Sequence, residues 1–282
     1  MIVGARSQIG AALRPVLAER NWRVTGTDRR QGQPGDRYLD LSRPLDLRAL
    51  PADVDIVFLL AGVTSIAACE ADPDGTAIVN VSAPATIARH CASIGARAVM
   101  VSTNLVLDGT IAQAPVTAAY APSCIYGRQK VALEQTLLDL APGATILRVT
   151  KIAETLLPLL GEWKVALLNR QRIRPFHDLH CCPLRLADAV ACLVGIAENG
   201  VAGVVHCSGE GDVSYVDIAL RLTDHLRLSR NLVLGTTSTQ AGMTLAVAPR
   251  HTTLDMTDFA DRFKFMPAGL DETLSTVFDL IP

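Results

Sequence analysis

The chain has 282 residues, a formal net charge of −2 and a pI near 6.3, and 49% of its residues are hydrophobic against 19% charged. This balance offers no basic surface for nucleic acid, and no apolar run reaches the roughly 20 residues of a membrane-spanning helix. The opening residues, MIVGARSQIG, lack the basic, apolar and cleavage regions of a secretory signal. We therefore expect a cytoplasmic protein whose partner is a small molecule, with neither nucleic acid nor a membrane as a partner.

Seven cysteines, an odd number without C-x-x-C spacing, favour reduced thiols over a disulfide framework. We also expect no metal at His177, His180, Cys181 and Cys182, because adjacent cysteines are poorly placed to ligate one ion and Pro183 stiffens the segment. The cysteines are at positions 69, 91, 124, 181, 182, 192 and 207.

Only four of the 26 basic residues are lysines, so a lysine at a motif position carries more information than usual.

Short apolar runs alternate with helical patterns through the first half of the chain, as in β-α-β units that build a parallel sheet. After about residue 150 this alternation loosens, and prolines interrupt the chain repeatedly. We predict strands over 2–4, 22–27, 55–61, 96–102 and 144–150, and helices over 8–20, 76–94 and 125–140.

The segment GARSQIG, from Gly4 to Gly10, follows the first strand and opens the first helix, as a turn that holds a pyrophosphate does. Gly4 allows the tight turn, Gly10 allows close packing, and Ser7, Gln8 and Ile9 begin the helix whose free N–H groups attract phosphate. Ser7 replaces the usual middle glycine. By itself the pattern fits an ordinary strand-to-helix turn equally well.

Asp28 lies 18 residues after Gly10, at the end of the second predicted strand. An acidic residue there accepts hydrogen bonds from an adenosine ribose, although a solvated turn residue is the alternative. Arg29 and Arg30 follow and are suited to a 2′-phosphate, so NAD and NADP both remain open. The expected fold class is α/β, a Rossmann-type doubly wound parallel sheet with a smaller C-terminal substrate-binding lobe. Residues 1–150 would form the dinucleotide-binding domain, and residues 151–282 mainly the substrate-binding lobe, interleaved with late elements of the sheet.

The segment PSCIYGRQKVALEQ, residues 122–135, places Tyr126 and Lys130 four residues apart within a predicted helix. Residues at i and i+4 share one helical face. An ammonium beside a phenol favours the phenolate and lowers its pKa from about 10, which suits proton exchange with a carbonyl oxygen. The alternative is a surface tyrosine that packs over a lysine stem.

These motifs together resemble the extended short-chain dehydrogenase/reductases, and most closely the dTDP-4-dehydrorhamnose reductase group of sugar-nucleotide enzymes. The group's pattern P-x-x-x-Y-G-x-x-K-x-x-x-E matches at Pro122, Tyr126, Gly127, Lys130 and Glu134. The resemblance extends along nearly the whole chain. Further matching stretches are STNLVLDG (102–109), NVSAPATIA (80–88), LAGVTSIAACEADP (60–73), HDLHCCPLRLADAV (177–190) and APRHTTLD (248–255).

The resemblance implies a catalytic role for four residues. Tyr126 would protonate the reduced oxygen, Lys130 would lower the pKa of Tyr126 and bind the nicotinamide ribose, and Thr103 with Ser102 would hydrogen-bond the same oxygen. Cofactor contacts are implied for Asp40 and Leu41 beside the adenine and for Ala61, Gly62 and Thr64 after the third strand. Asn80 resembles the helix asparagine that steadies the site.

Departures from the pattern concern the sugar pocket. Leu105 and Lys151 stand where the group commonly has aromatic residues, so we expect a sugar other than the rhamnose precursor. Asn104 and Leu105 replace the acidic pair of sugar-nucleotide dehydratases, which favours simple carbonyl reduction. Substrate contacts are expected from Asn104, Lys151, Arg185 and Arg250, the arginines as clamps for a diphosphate.

The resulting hypothesis is an enzyme that uses NADP or NAD to reduce a keto group on a nucleotide-linked sugar, with Tyr126 as general acid. Two alternatives remain open. One is a non-catalytic, nucleotide-binding regulatory subunit of the same fold. The other is an epimerase in which Cys124, His177 or His180 exchanges protons. A homodimer is compatible with each.

Overall fold

The computed structural model describes residues 1–30, 35–141, 143–243 and 247–282. Contacts within the chain divide it into two compact units, here the first unit and the second unit. The first unit comprises Met1–Leu107, Ala119–Arg148 and Ala189–Val205, and the second comprises Asp108–Ala118, Val149–Asp188 and His206–Pro282.

A seven-stranded sheet forms the framework of the first unit. Its strands are β1 (Ile2–Val3), β2 (Gly26–Asp28), β3 (Arg37–Tyr38), β4 (Ile56–Leu59), β5 (Arg97–Thr103), β6 (Thr145–Val149) and β10 (Gly203–Cys207). Their order is β10-β6-β5-β4-β1-β2-β3. Strand β1 pairs in parallel with both β2 and β4, with Ile2 opposite Gly26 and Phe58. This topology confirms the predicted doubly wound parallel fold.

The ten helices of the described residues follow the strands in β-α order through the first half of the chain. They are α1 (Gln8–Glu19), α2 (Ile66–Ala71), α3 (Pro73–Ala77), α4 (Ala83–Ser93), α5 (Ile125–Leu140), α6 (Leu157–Leu168), α7 (Leu186–Asn199), α8 (Tyr215–His225), α9 (Thr257–Phe263) and α10 (Leu270–Asp279). Helix α5, which carries the tyrosine and the lysine, begins and ends as predicted. Among the described residues, no helix has both the length and the apolarity needed to cross a membrane.

The predicted helix over 76–94 is interrupted. Helix α3 ends at Ala77, a π-helical segment runs over Ile78–Ser82, and α4 begins at Ala83. Pro84 is the physical reason, because it has no N–H to donate to the carbonyl of Asn80 four residues earlier, and π turns form where this ladder is broken. The predicted strand over 22–27 is also shifted, since β2 covers only Gly26–Asp28.

Burial explains why the central strands were the easiest to predict. Every residue of β4 and of β6 is buried, and strands covered on both faces are continuous apolar runs rather than alternating ones. Arg148 is the one charged residue within these two strands. It is only 2% exposed, and its guanidinium pairs with the fully buried carboxylate of Glu134 on α5.

The second unit has little regular sheet. Strands β8 (His180–Cys181) and β11 (Val213–Ser214) form one antiparallel pair, and β7 (Lys151–Ile152) and β9 (Pro183–Leu184) form one parallel pair. Its apolar core includes residues of α6, α8 and α10, among them Leu160, Leu222 and Val277.

Candidate nucleotide site and tyrosine–lysine pair

A cavity of about 400 Å³ lies in the first unit, where the turns that follow β1, β2, β3 and β4 meet. In open parallel sheets, ligands bind beyond the carboxyl ends of the strands, and this volume lies within the range of small-molecule sites. Its lining residues are Val3, Gly4, Arg6, Ser7, Thr27, Asp28, Arg29, Arg30, Leu39, Asp40, Leu41, Ser42, Ala61, Gly62, Val63 and Val79.

The glycine turn after β1 packs closely against neighbouring backbone. Gly4 has a φ of +87°, and a Cβ placed there would lie 2.7 Å from the backbone nitrogen of Ala61. A Cβ at Gly10 would lie 2.4 Å from the carbonyl oxygen of Gly4, so neither position accommodates a side chain. The residues present therefore fit a nucleotide whose pyrophosphate lies against the start of α1.

Ser7, which replaces the expected middle glycine, caps α1. Its hydroxyl oxygen accepts a hydrogen bond from the backbone N–H of Gly10 at 3.1 Å, the usual role of serine at this position. Ser7 lines the cavity, whereas Gln8 and Ile9 do not. For these two residues the structure shows only a place in the first turn of α1.

Asp28 lies at the end of β2, beside three arginines of the cavity. Its Oδ1 accepts a hydrogen bond from the backbone N–H of Arg30 at 2.7 Å, and its Oδ2 lies 3.9 Å from Nε of Arg6. Arg29 also lines the cavity. Arg6 was not predicted from the sequence, although its position inside the glycine turn could have indicated it. Carboxylate and guanidinium groups thus occur together where a ribose or a 2′-phosphate would bind.

Asp40 and Leu41 lie at the same cavity, after β3. The backbone N–H and the hydroxyl of Ser42 both donate to Oδ1 of Asp40, at 2.9 and 2.7 Å. These hydrogen bonds, with the nearby charges of Arg43 and Arg29, hold the pKa of the Asp40 carboxyl below its usual value. Asp40 is therefore ionised at neutral pH and acts as an acceptor.

The turn after β4 lines the cavity with three of its residues. Ala61, Gly62 and Val63 line the cavity, whereas Thr64 is exposed and does not. Asn80 holds this turn, because its Oδ1 accepts from the backbone N–H of Val63 at 2.7 Å and its Nδ2 donates to the carbonyl of Val63 at 2.9 Å. Both backbone groups of Val63 are thus bound to one side chain, which fixes which residues face the cavity.

Asn80 also connects the cavity to α5. Its Nδ2 donates to Oε1 of Gln129 at 2.7 Å, and Nε2 of Gln129 donates to Oγ1 of Thr76 at 2.9 Å. Gln129 directly precedes Lys130 in α5. The predicted steadying role of Asn80 therefore has a structural basis in this buried chain of hydrogen bonds.

Tyr126 and Lys130 share one buried face of α5, and each is 8% exposed. The Nζ of Lys130 lies 5.8 Å from the centre of the Tyr126 ring and donates to the carbonyl oxygen of Val101 at 2.9 Å. Gly127 lets α5 approach the turn after β5, because a Cβ there would lie 2.3 Å from the carbonyl oxygen of Leu105. The pair is thus a buried feature and not a surface tyrosine over a lysine stem.

The expected lowering of the tyrosine pKa was wrong for this structure. Burial, reinforced by the thiols of Cys69 and Cys124, raises the pKa of the Tyr126 phenol. Burial also lowers the pKa of Lys130 to about 8, against the opposing charge of Glu134. Desolvation acts against the charged form of both groups, and it outweighs the attraction between ammonium and phenolate.

Ser102 and Thr103 were predicted to bind one substrate oxygen, and the structure separates them. The Ser102 hydroxyl donates to the buried carboxylate of Glu134, so its proton is not available to a substrate oxygen. Successive residues of a strand point to opposite faces. Thr103 ends β5, and its Oγ1 accepts from the backbone N–H of Leu105 at 3.2 Å and lies 3.4 Å from Oδ1 of Asn104.

The remaining predicted residues belong to the second unit. Lys151 and Arg250 are exposed. Arg185 was predicted as a diphosphate clamp, and in the structure its guanidinium contacts both oxygens of Asp188, at 2.9 and 3.0 Å, and Oε1 of Glu272 at 2.5 Å. Those ion pairs fasten the start of α7 to α10. Within the described ranges, no group of three or more histidine, cysteine or acidic side chains is arranged to hold a metal.

The parallel sheet, the glycine turn at its carboxyl edge and the buried tyrosine–lysine pair define a protein of the extended short-chain dehydrogenase/reductase type. A comparison with protein families is consistent with this class: the profile of the RmlD substrate binding domain matches residues 1–281. The chain belongs to this family.

Individual relatives show the same likeness at low identity. The dTDP-4-dehydrorhamnose reductase of Mycobacterium tuberculosis is 29% identical over 225 residues, which cover 76% of this chain and 71% of that protein. Methionine adenosyltransferase 2 subunit beta of Xenopus tropicalis is 24% identical over 258 residues, 86% of this chain and 77% of its own. The crystal structure of a Bacillus anthracis dTDP-4-dehydrorhamnose reductase in complex with NADP superposes with a TM-score of 0.81 at 21% identity, covering 99% of this chain and 98% of the other.

Proposed function

We propose that this protein is an NAD(P)-dependent oxidoreductase that reduces a keto group on a nucleotide-linked sugar by hydride transfer. The observation that carries the proposal is the buried pair of Tyr126 and Lys130, joined through Gln129 and Asn80 to the turn that lines the nucleotide cavity. A buried tyrosine–lysine pair that served only packing would not require a connected cavity. The pair and the cavity together therefore support a reductase.

The first unit would hold the cofactor, NADP or NAD, along the edge of its sheet. Gly4 and Ser7 would receive the pyrophosphate, Asp28 the adenosine ribose, and Asp40 with Leu41 would border the adenine. Arg6, Arg29 and Arg30 would accommodate a 2′-phosphate in the case of NADP. When bound, the nicotinamide ring supplies the hydride.

The acid–base step would belong to Tyr126. Since burial raises its pKa, the phenol keeps its proton at neutral pH, and this is the form that an acid must have. As the phenol gives its proton to the reduced oxygen, the phenolate forms beside the ammonium of Lys130, and this charge pair stabilises the product of proton transfer. Thr103 would hydrogen-bond the same oxygen.

The substrate class follows from the relatives, several of which are named dTDP-4-dehydrorhamnose reductases. We assign contacts with the substrate to Asn104, Lys151 and Arg250. Leucine at 105 and lysine at 151 leave the sugar pocket without the aromatic residues that the resemblance implies, and we expect a preference for a different keto sugar. The buried thiols suit the reducing cytoplasm.

Turnover of a tyrosine variant tests the proposal. Purified wild type and Tyr126→Phe are assayed by nicotinamide absorbance with NADPH or NADH and a panel of keto-sugar nucleotides that includes dTDP-4-dehydrorhamnose. We expect wild type to oxidise the cofactor with at least one of them, and Tyr126→Phe to lose about 100-fold to 10,000-fold in kcat, the usual contribution of a general acid.

Tyr38→Phe is the matched control, because Tyr38 is 52% exposed on the edge strand β3 and loses the same hydroxyl. It should retain the wild-type rate. Equal rates for wild type and Tyr126→Phe would refute the assignment of the acid, and no turnover by wild type on any of the sugars would refute the reductase.

A second function is favoured by one observation, the match to methionine adenosyltransferase 2 subunit beta over 86% of this chain. That relative is named as a subunit of a larger enzyme, and the same fold here would then bind a nucleotide for a regulatory purpose. The two functions differ in a simple way. A regulatory subunit binds the dinucleotide without hydride transfer and co-purifies with a larger enzyme, whereas a reductase consumes the cofactor when it is assayed alone.

A further inference from the structure

A buried carboxylate, Glu134, lies on the catalytic face of α5 one turn beyond Lys130, at the i+8 position from Tyr126. It is fully buried, and Nη2 of Arg148 lies 2.8 Å from its Oε2. The hydroxyl of Tyr120 donates to the same oxygen at 2.9 Å. In a buried ion pair of this kind, the attraction between the two charges often does no more than offset the cost of their desolvation.

The other oxygen of Glu134, Oε1, lies 3.2 Å from Nε of Arg148 and has one further partner. Oε1 accepts a hydrogen bond from the hydroxyl of Ser102. Ser102 follows Val101 in β5, and the carbonyl of Val101 accepts from Nζ of Lys130 at 2.9 Å. Two side chains one helical turn apart on α5 therefore bind two successive residues at the carboxyl end of β5. We call these two contacts the α5–β5 clamp.

We propose that Glu134 is a positioning residue: through Ser102 it fixes the end of β5 against α5, and so holds the Lys130 ammonium beside the ring of Tyr126. The inference rests on the proposed function, because it matters to the reaction only where Tyr126 acts as the acid. The negative charge of Glu134 adds a second effect, since it raises the pKa of Lys130 against the desolvation that lowers it to about 8. With a pKa of about 8, Lys130 is still mostly protonated at neutral pH.

Ser102→Ala opens the clamp without removing the ion pair, and it is the decisive variant. We expect kcat on the keto-sugar nucleotide to fall about ten-fold or more while KM stays within about two-fold, because the Ser102 hydroxyl is already bound to Glu134. Ser102→Thr retains the hydroxyl and should recover most of the loss. Ser93→Ala, at the exposed end of α4, is the matched control and should behave as wild type.

Glu134→Gln keeps the shape of the side chain and removes its charge. The alkaline limb of the kcat profile, which we expect near pH 8 in wild type, should move to lower pH because Lys130 loses a stabilising neighbour. Asp139→Asn removes an exposed charge from the same helix and should leave the limb in place. If Glu134→Gln fails to fold because Arg148 loses this carboxylate, Ser102→Ala alone decides.

A readout independent of turnover is available, because the chain has only four lysines, Lys130, Lys151, Lys164 and Lys264. In protein labelled with ¹³C at lysine Cε, a pH titration by NMR resolves Lys130 as the most shifted of the four. We expect Ser102→Ala to move the Lys130 signal and its titration midpoint, with the other three unchanged.

The outcomes separate the clamp from the reductase. Loss of kcat and a changed Lys130 titration in Ser102→Ala support the clamp. Wild-type kcat, alkaline limb and Lys130 titration in that variant, together with an inactive Tyr126→Phe, overturn it and leave the reductase standing. If wild type turns over none of the sugars, the proposed function fails, and the lysine titration alone supports or overturns the clamp.

Discussion

The two units of the molecule are held in shape by different interactions. In the first unit, neighbouring strands of a seven-stranded sheet are joined by ladders of backbone hydrogen bonds. In the second, β7, β8, β9 and β11 are two residues long, and single carboxylates bind the backbone of distant loops. Oδ1 of Asp212 accepts from the backbone N–H of Thr252 at 2.7 Å, and Asp178 accepts from that of Ser238 at 3.0 Å.

In the second unit, single side chains determine the path of the backbone to a greater extent than in the first. A ladder shares its energy over many peptide groups, so one substitution removes a small part of it. A loop fastened by one carboxylate loses its main attachment when that group is removed, and a backbone N–H is left without its acceptor. The first unit should therefore tolerate changes that the second does not, except at the buried ion pair of Arg148 and Glu134 and at its glycine turn.

The largest loss of stability is expected at that ion pair. Arg148→Met leaves the carboxylate of Glu134 buried without its counter-charge, and we expect the free energy of unfolding in urea to fall by about 3–5 kcal/mol. The double variant Arg148→Met/Glu134→Gln removes both charges and should recover much of this loss. Arg23→Met breaks an ion pair with Asp53 whose side chains are 77% and 70% exposed, and the loss should be much smaller than in Arg148→Met. Equal losses in the buried and exposed variants would contradict the account.

Asp212→Asn tests the attachment of loops in the second unit. Asp212 also accepts from the Thr252 hydroxyl at 2.6 Å and contacts the His251 ring at 3.2 Å. Because hydrogen bonds to a charged acceptor are the strong ones, we expect a loss of about 2 kcal/mol in urea unfolding. Asp108→Asn is the control, since Asp108 binds only Thr110, two residues away. A loss no larger than that of the control would show that the loop is held in another way.

Gly4→Ala tests whether the cavity of the first unit takes a dinucleotide. The new Cβ would meet the backbone of Ala61 at 2.7 Å in a left-handed conformation, so affinity for NADP⁺ or NAD⁺ should fall at least about ten-fold by calorimetry. Gly95→Ala is matched in backbone strain, because its φ is +79° and nothing lies near its Cβ. It should lose stability and keep affinity. Equal losses of affinity in Gly4→Ala and Gly95→Ala would contradict the assignment of this cavity as the dinucleotide site.

A change confined to alkaline pH is expected at one buried thiol. Burial raises the pKa of the Cys181 thiol from 9.0 to about 12. The unfolded thiol ionises near pH 9 and the folded thiol does not, so stability from this group is complete below pH 9 and is lost as the pH rises toward 12. Cys181→Ala should make the fall of the unfolding free energy shallower by about 1 kcal/mol per pH unit above 9. Parallel curves for variant and wild type would contradict this.

Much of the first unit could be predicted from the sequence. Buried strands are visible as apolar runs, α5 has a periodic pattern, and Gly4 and Asp28 follow from fixed spacings after strands. These signals are local in sequence. Asp40 was implied by the family resemblance. The shift of β2 and the break at Ile78–Ser82 were missed because they depend on pairing with neighbouring strands and on one missing backbone donor at Pro84.

The failures at the site have a common cause. The pKa of Tyr126 depends on burial, which outweighs the charge of a lysine four residues away. Ser102 binds Glu134, which lies 32 residues away along the chain. Arg185 binds Asp188 and also Glu272, which lies 87 residues away. Spacing in the sequence does not reveal partners that are so distant. Sequence patterns indicate which residue types are present, and the folded partners decide which of them remain available to a ligand.

The central claim is that a proton from Tyr126 accompanies hydride transfer to a sugar carbonyl. It is tested most directly by a single turnover with nicotinamide cofactor deuterated at the transferring carbon and a keto-sugar nucleotide, followed by mass spectrometry of the sugar. The account predicts one deuterium in the reduced sugar with wild type, and a rate at least about 100-fold lower with Tyr126→Phe. Deuterium transfer at the same rate in both proteins, or none with wild type, would contradict it.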